Sequence, residues 1–145
     1  MGLFDFVADM GKKIFGGDDD PAEKIQDSID EDNPGVSDLA IKFVDGVVHL
    51  SGAASSAESL EKAVLLAGNI QGVTEVNVDG MDAPAPEPEV LYYTIEKGDS
   101  LWKVADKHYG NGNDYQKLFE ANKEVIKDPD LIYPGQKIRV PPKTW

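Results

Sequence analysis

The sequence predicts an α+β protein made of two small units in series. Three observations carry that prediction. Apolar residues alternate over Leu39, Ile41 and Phe43 and again over Val48 and Leu50, with Asp45-Gly46 between them, the pattern of a β-hairpin. Ala57, Leu60, Ala63, Val64 and Ala67 then recur at helical spacing. An acidic stretch over 82–90, carrying Pro84, Pro86 and Pro88, separates this region from a second one with strand and helix signals of its own.

In chain order, Leu3, Phe6, Val7, Met10 and Ile14 form an apolar stripe that predicts an N-terminal amphipathic helix within 1–17. Asp5 suits its positive end and Lys12-Lys13 its negative end; Gly11 interrupts it and Gly16-Gly17 stop it. A helix this short is marginal in water, so it must dock. The rest of the chain, a partner protein and a membrane surface are the candidates. Asp5 and Asp9 against two lysines disfavour the membrane, and docking within the chain is preferred. Asp18-Asp19-Asp20 lacks the alternating oxygen ligands, central glycine and distal glutamate of a calcium loop, and reads as solvated acids ahead of Pro21.

The first unit is expected over 21–81. Ala22 to Ile29 reads as an amphipathic helix and Asn33-Pro34-Gly35 as a break, followed by the hairpin. Ser55-Ser56 offers a helix cap, Gly68 ends that helix, Gly72 turns the chain and Val73 to Val78 forms a third strand. The second unit is expected over 91–142. Tyr93 and Ile95 alternate as a short strand, Lys97-Gly98 turns, and Asp99 or Ser100 caps a helix with Leu101, Val104, Ala105 and His108 on its spacing. Gly110 to Asn113 break it; Tyr115, Leu118 and Phe119 share a face of the next helix. Pro134-Gly135 turns into a last strand, Lys137 to Val140, that can pair with the first.

These residues support two family resemblances. Tyr93 to Leu101 and Leu131 to Val140 resemble the LysM domain, a βααβ carbohydrate-binding module usually directed at N-acetylglucosamine-containing glycans. Asp45-Gly46-Val47-Val48-His49-Leu50-Ser51-Gly52 and Gly68-Asn69-Ile70-Gln71-Gly72-Val73-Thr74-Glu75-Val76, in the order αββαβ, resemble the BON domain, a small α/β sandwich of bacterial proteins often described as lipid-binding.

Composition narrows the function classes. The chain of 145 residues has a formal net charge of −13 and no cysteine, which excludes disulfides and thiolate metal sites. From Leu91 onward the net charge is +1, so the first ninety residues carry −14; such an acidic half repels nucleic acid and anionic membrane and raises the local cation concentration. No apolar run spans a bilayer. The opening Met1 to Phe6 lacks a basic region and a long apolar core, so a cytoplasmic location is expected, and Phe6 stands where a myristoylation signal needs Ser or Thr. The two histidines fall in different units: His49 reads as an exposed strand residue, and His108 sits near a helix end that suits it. No catalytic constellation emerges, and an enzyme is not expected.

The whole arrangement, with Met1-Gly2-Leu3-Phe4, Phe119-Glu120-Ala121-Asn122 and Ile132-Tyr133-Pro134-Gly135-Gln136, resembles a family of bacterial cytoplasmic potassium-binding proteins. That resemblance implies a monomer that takes K⁺ selectively, compacts on doing so, and serves as a sensor or buffer of the ion. It also guides the site expectation. If the N-terminal helix docks near the end of the helix closed by Gly68, carbonyl oxygens of Val7, Met10 and Gly11 face those of Gly68, Ile70 and Val73 across a six-oxygen cage. K⁺ suits neutral carbonyl dipoles, which leave no side-chain signature. If Gly68 needs a positive φ there, Gly68→Val is expected to damage the site badly. The alternative is a glycan-binding protein of the peptidoglycan or chitin type, with Gly98, Asp99, Ser100, Leu101, Ile132 and Tyr133 flanking the groove as the LysM resemblance implies. An unidentified protein partner is a third reading.

Overall fold

The computed structural model describes residues 4–6, 21–84 and 89–143. The first unit runs α1 (Pro21–Glu31), β1 (Val36–Val44), β2 (Val47–Ala54), α2 (Ala57–Gly68) and β3 (Glu75–Asp82). The strands order β1-β2-β3; β1 and β2 are antiparallel, and α2 crosses over to make β3 parallel to β2. Asp45 and Gly46 take φ of 50° and 83°, the positive pair that a two-residue hairpin turn of matching twist requires. Ser56 caps α2 by accepting from the Ser59 amide at 3.0 Å. The third strand begins two residues later than expected and runs through Asp82, into the stretch read as linker.

The second unit runs β4 (Leu91–Thr94), α3 (Leu101–Tyr109), a single 3₁₀ turn (Gly112–Asp114), α4 (Tyr115–Ala121) and β5 (Lys137–Val140). β4 and β5 pair antiparallel, with Tyr93 opposite Ile138. Ser100 caps α3 through the Lys103 amide, and Gly110 closes it at φ 75°. The αββαβ and βααβ orders are those the sequence implied.

The two units share one apolar core, and α2 lies at its centre. Its expected stripe is buried, but so are Ser59, Glu61, Lys62 and Leu65 on the other side. A helix buried all round needs cover on every face, and β5 supplies it.

At the N-terminus the expectation of a helix fails over Phe4–Phe6. Instead the segment pairs with β3 through an isolated antiparallel bridge from Asp5 to Glu75: the Phe6 amide donates to Thr74 O at 2.9 Å and the Val76 amide donates to Phe4 O at 3.0 Å. The edge of β3 offers unpaired backbone groups, which reward an extended segment more than water rewards a short helix. The rest of the expected helix, including Val7, Met10 and Gly11, lies outside the described residues.

Candidate functional site

The site is built around the end of α2. Gly68 closes the helix, Asn69 caps it by donating its amide to Leu65 O at 2.9 Å, and the chain turns through Gly72 at φ 100° into β3. Ile70 and Val73 are buried, and the Val73 amide donates to Ile70 O at 3.2 Å. Gly68, Ile70 and Val73 therefore sit on one compact turn, within which the Ile70 carbonyl already accepts from Val73. Gly68 has no positive φ and is the last residue of α2. Its glycine is required by close approach instead, because a Cβ there would lie 2.1 Å from the Phe6 ring. Phe6 thus seats the N-terminal segment on this turn, one residue before Val7.

Lys137 of β5 reaches the same place from the second unit. Its side chain is 1% exposed; Nζ donates to Asp5 O and lies 4.5 Å from the centre of the Phe6 ring. Burial pushes the ammonium down to about 8, against the raising effect of the Asp5 charge. The backbone of the same residue is held by Asn69, whose Nδ2 donates to Lys137 O at 2.8 Å and whose Oδ1 accepts from Lys137 N at 2.8 Å. Asn122 repeats that clamp on Arg139, accepting from its amide at 2.7 Å and donating to its carbonyl at 2.8 Å. Two asparagine side chains, one from each unit, thereby satisfy the edge of β5 that faces away from β4.

Charge pairs close the contact. Arg139 Nε donates to Glu61 Oε1 at 2.8 Å, Lys62 meets Glu124 at 3.2 Å, and Lys127 meets Asp32 at 2.9 Å. Sequence reading passed over Lys137, Arg139, Glu61 and Asn69. In strand and helix patterns they occupy polar positions, and only the second unit's packing on α2 makes them interior. Among the described residues no group of three or more His, Cys, Asp or Glu side chains is placed to hold a metal, and no helix is long and apolar enough to cross a membrane.

The residues of the glycan alternative are divided. Gly98, at φ 89°, is open, with nothing within 4 Å of where a Cβ would stand. Asp99 is engaged, accepting from Tyr93 OH at 2.5 Å and the Glu96 amide at 2.9 Å; Ser100 is the α3 cap and Leu101 is core. Ile132 is half-buried. Tyr133 turns to the first unit: its hydroxyl donates to Asn69 O at 3.0 Å, and burial pushes it up to about 12. With Leu65, Ile70, Val125 and Leu131 it lines a cavity of ≈ 340 Å³ between the units.

Comparison with known proteins agrees with this architecture. The BON domain model matches residues 17–83 and the LysM domain model residues 93–141. A relative named potassium binding protein Kbp, from Escherichia coli O6:H1, is 38% identical over 148 residues, covering 97% of this chain and 99% of its own. The chain belongs to the Kbp family. Other relatives cover less. An uncharacterized protein of Deinococcus radiodurans is 38% identical over 104 residues, 65% of this chain and 40% of its own. SpoIVD-associated factor A of Bacillus subtilis is 45% identical over 49 residues, 34% of this chain and 12% of its own. Among these three relatives, the Kbp relative is the one whose match spans both units from end to end.

Proposed function

We propose that this protein binds K⁺ through backbone carbonyl oxygens where its N-terminal segment meets the turn after α2, and acts in the cytoplasm as a sensor or buffer of the ion. The name of the Kbp relative supports the choice of ion. One structural observation supports the location: the Phe6 ring lies against Gly68 and the Phe6 amide donates to Thr74 O, beside the turn that carries Ile70 and Val73. Val7, Met10 and Gly11 would complete the six oxygens. In this reading 21–81 and 91–142 are the two folding units and 82–90 the joint, and ion binding tightens their contact because Asn69 belongs to both the turn and the interface. The role is binding, not catalysis.

Calorimetric titration with KCl and with NaCl tests it. K⁺ is expected to bind and Na⁺ at equal ionic strength is not. Deletion of residues 1–11 abolishes binding, whereas Asp5→Asn changes it only slightly, by loss of long-range attraction. Normal binding by the deletion variant would place the site elsewhere.

A second reading, glycan binding, is favoured by the LysM match and by the open loop at Gly98. Against it stands Tyr133, whose hydroxyl is committed to Asn69. Retention on purified peptidoglycan that Tyr133→Ala abolishes would establish it.

A further inference from the structure

We infer that the cavity between the two units is a binding site for an uncharged apolar molecule carrying a hydroxyl group, recognised by the side-chain oxygen of Gln136. The inference goes beyond the K⁺ reading and stands without it. The cavity measures ≈ 340 Å³ and takes its walls from both units, Leu65 and Ile70 from the first and Val125, Ile126 and Leu131 from the second. An apolar cavity of about 150 Å³ holds benzene, so this one has room for a molecule of about a dozen non-hydrogen atoms. Leu131 is 68% exposed and stands at the mouth, while Leu65 and Ile70 are buried and form the floor. Among these apolar walls is a polar group without a partner. Gln136 is 4% exposed and lines the same cavity. Its Nε2 donates to Val125 O at 3.5 Å, and its buried Oε1 accepts from no group among the described residues. That contact fixes which end of the amide is free, since turning it over would set one oxygen against another. The backbone holds the side chain in place: the Gln136 amide donates to Tyr133 O at 3.1 Å, and its carbonyl accepts from Ile95 N at 2.8 Å. A buried acceptor left unpaired costs free energy that a hydroxyl donor recovers.

Charge decides what kind of molecule fits. Lys127, the cation of the lining, is paired with Asp32 at 2.9 Å, and Glu124, also of the lining, is paired with Lys62 at 3.2 Å. A carboxylate would bring no donor to Gln136, and would meet Asp32 and Glu124 with the lining's cation already engaged. An ammonium would donate, but would have to shed its water among aliphatic side chains. A hydroxyl donates without either penalty, and its apolar remainder covers Leu65, Ile70 and Val125.

The test is NMR titration of the full chain with n-octanol, with its isomer heptyl methyl ether, which has the same atoms but no donor, and with octanoate. The alcohol is expected to shift the methyl signals of Leu65, Ile70 and Val125 and to bind on the order of tenfold more tightly than the ether. Octanoate is expected to leave those signals unmoved. Gln136→Leu, which keeps the backbone bonds and removes Oε1, should bring alcohol and ether to equal affinity. Leu66 is a half-buried residue of the wall, and Leu66→Trp should fill the cavity and abolish binding of both. Methyl signals that stay unmoved with n-octanol show a cavity that takes water alone and overturn the inference. Equal affinity of the parent chain for alcohol and ether overturns the role of Gln136, and octanoate binding as tightly as n-octanol overturns the choice of an uncharged ligand. These comparisons are made on the parent chain, so they hold whether or not either variant folds.

Discussion

Arg139 and Glu61 form an ion pair of 2.8 Å across the contact between the two units, and both side chains are buried. Arg139 also donates to Ala121 O at 2.7 Å, so its charge is met from both sides of the interface. A buried pair of this kind costs desolvation to form, and breaking it leaves a stranded charge. Glu61→Ala is expected to lower stability by about 3 kcal/mol. Glu61→Leu combined with Arg139→Met should recover most of that loss. Urea denaturation of the single and double variants measures both.

Asn69 serves a different purpose, supplying the hydrogen bonds that a neighbouring strand would give β5 at Lys137. Asn69→Ala leaves a buried amide and carbonyl unpaired, for an expected loss of about 2–3 kcal/mol. Exchange of the Lys137 amide should accelerate while that of Arg139, held by Asn122, stays slow. Equal acceleration at both positions would show that the second unit comes apart as a whole.

Gly68→Ala places a methyl group where the Phe6 ring now sits. The expected result is displacement of the N-terminal segment, loss of protection at Phe6 and Val76, and a destabilisation of about 1–3 kcal/mol. Because Gly68 has no positive φ, the damage should be relieved by Phe6→Ala in the same chain. A backbone strain would not be relieved.

Two buried groups at the interface give opposite pH dependences in the absence of K⁺. Lys137 is pushed down to about 8 from 10.5, so the unfolded chain binds more protons between those values and stability rises with pH across them. Tyr133 is pushed up to about 12 from 10.0; its contribution is complete below pH 10 and is lost as pH rises through 12. Tyr93 and Tyr109, each raised to about 12 chiefly by burial, add to that fall. The denaturation midpoint should therefore climb from pH 8 toward 10 and then drop. Lys137→Met flattens the climb and Tyr133→Phe reduces the drop.

Local patterns were legible in the sequence because each is set within a few residues. The Asp45-Gly46 turn, the Ser56 and Ser100 caps and the Gly110 stop follow from side-chain geometry and the freedom of glycine, and neighbouring units do not alter them. The apolar stripe over Leu3 to Ile14 misled at Phe4–Phe6, since helical spacing is also available to a segment that finds a strand edge and a hole above a glycine. Gly68 does end α2 as its pattern suggested, but its contact with the ring of Phe6, far away in the sequence, has no local trace.

The sequence by itself determined the α+β class, the order of both units, the pairing of β4 with β5 and the family, all of which depend on periodicity, turn chemistry and motif spacing. Only the tertiary structure decided that the units pack as one core, that Tyr133 faces Asn69, and that Lys137 and Glu61 are interior. The physical reason is that burial of a polar residue depends on what covers it. In α2 and β5 the covering surface comes from the other unit, which no window along the chain contains.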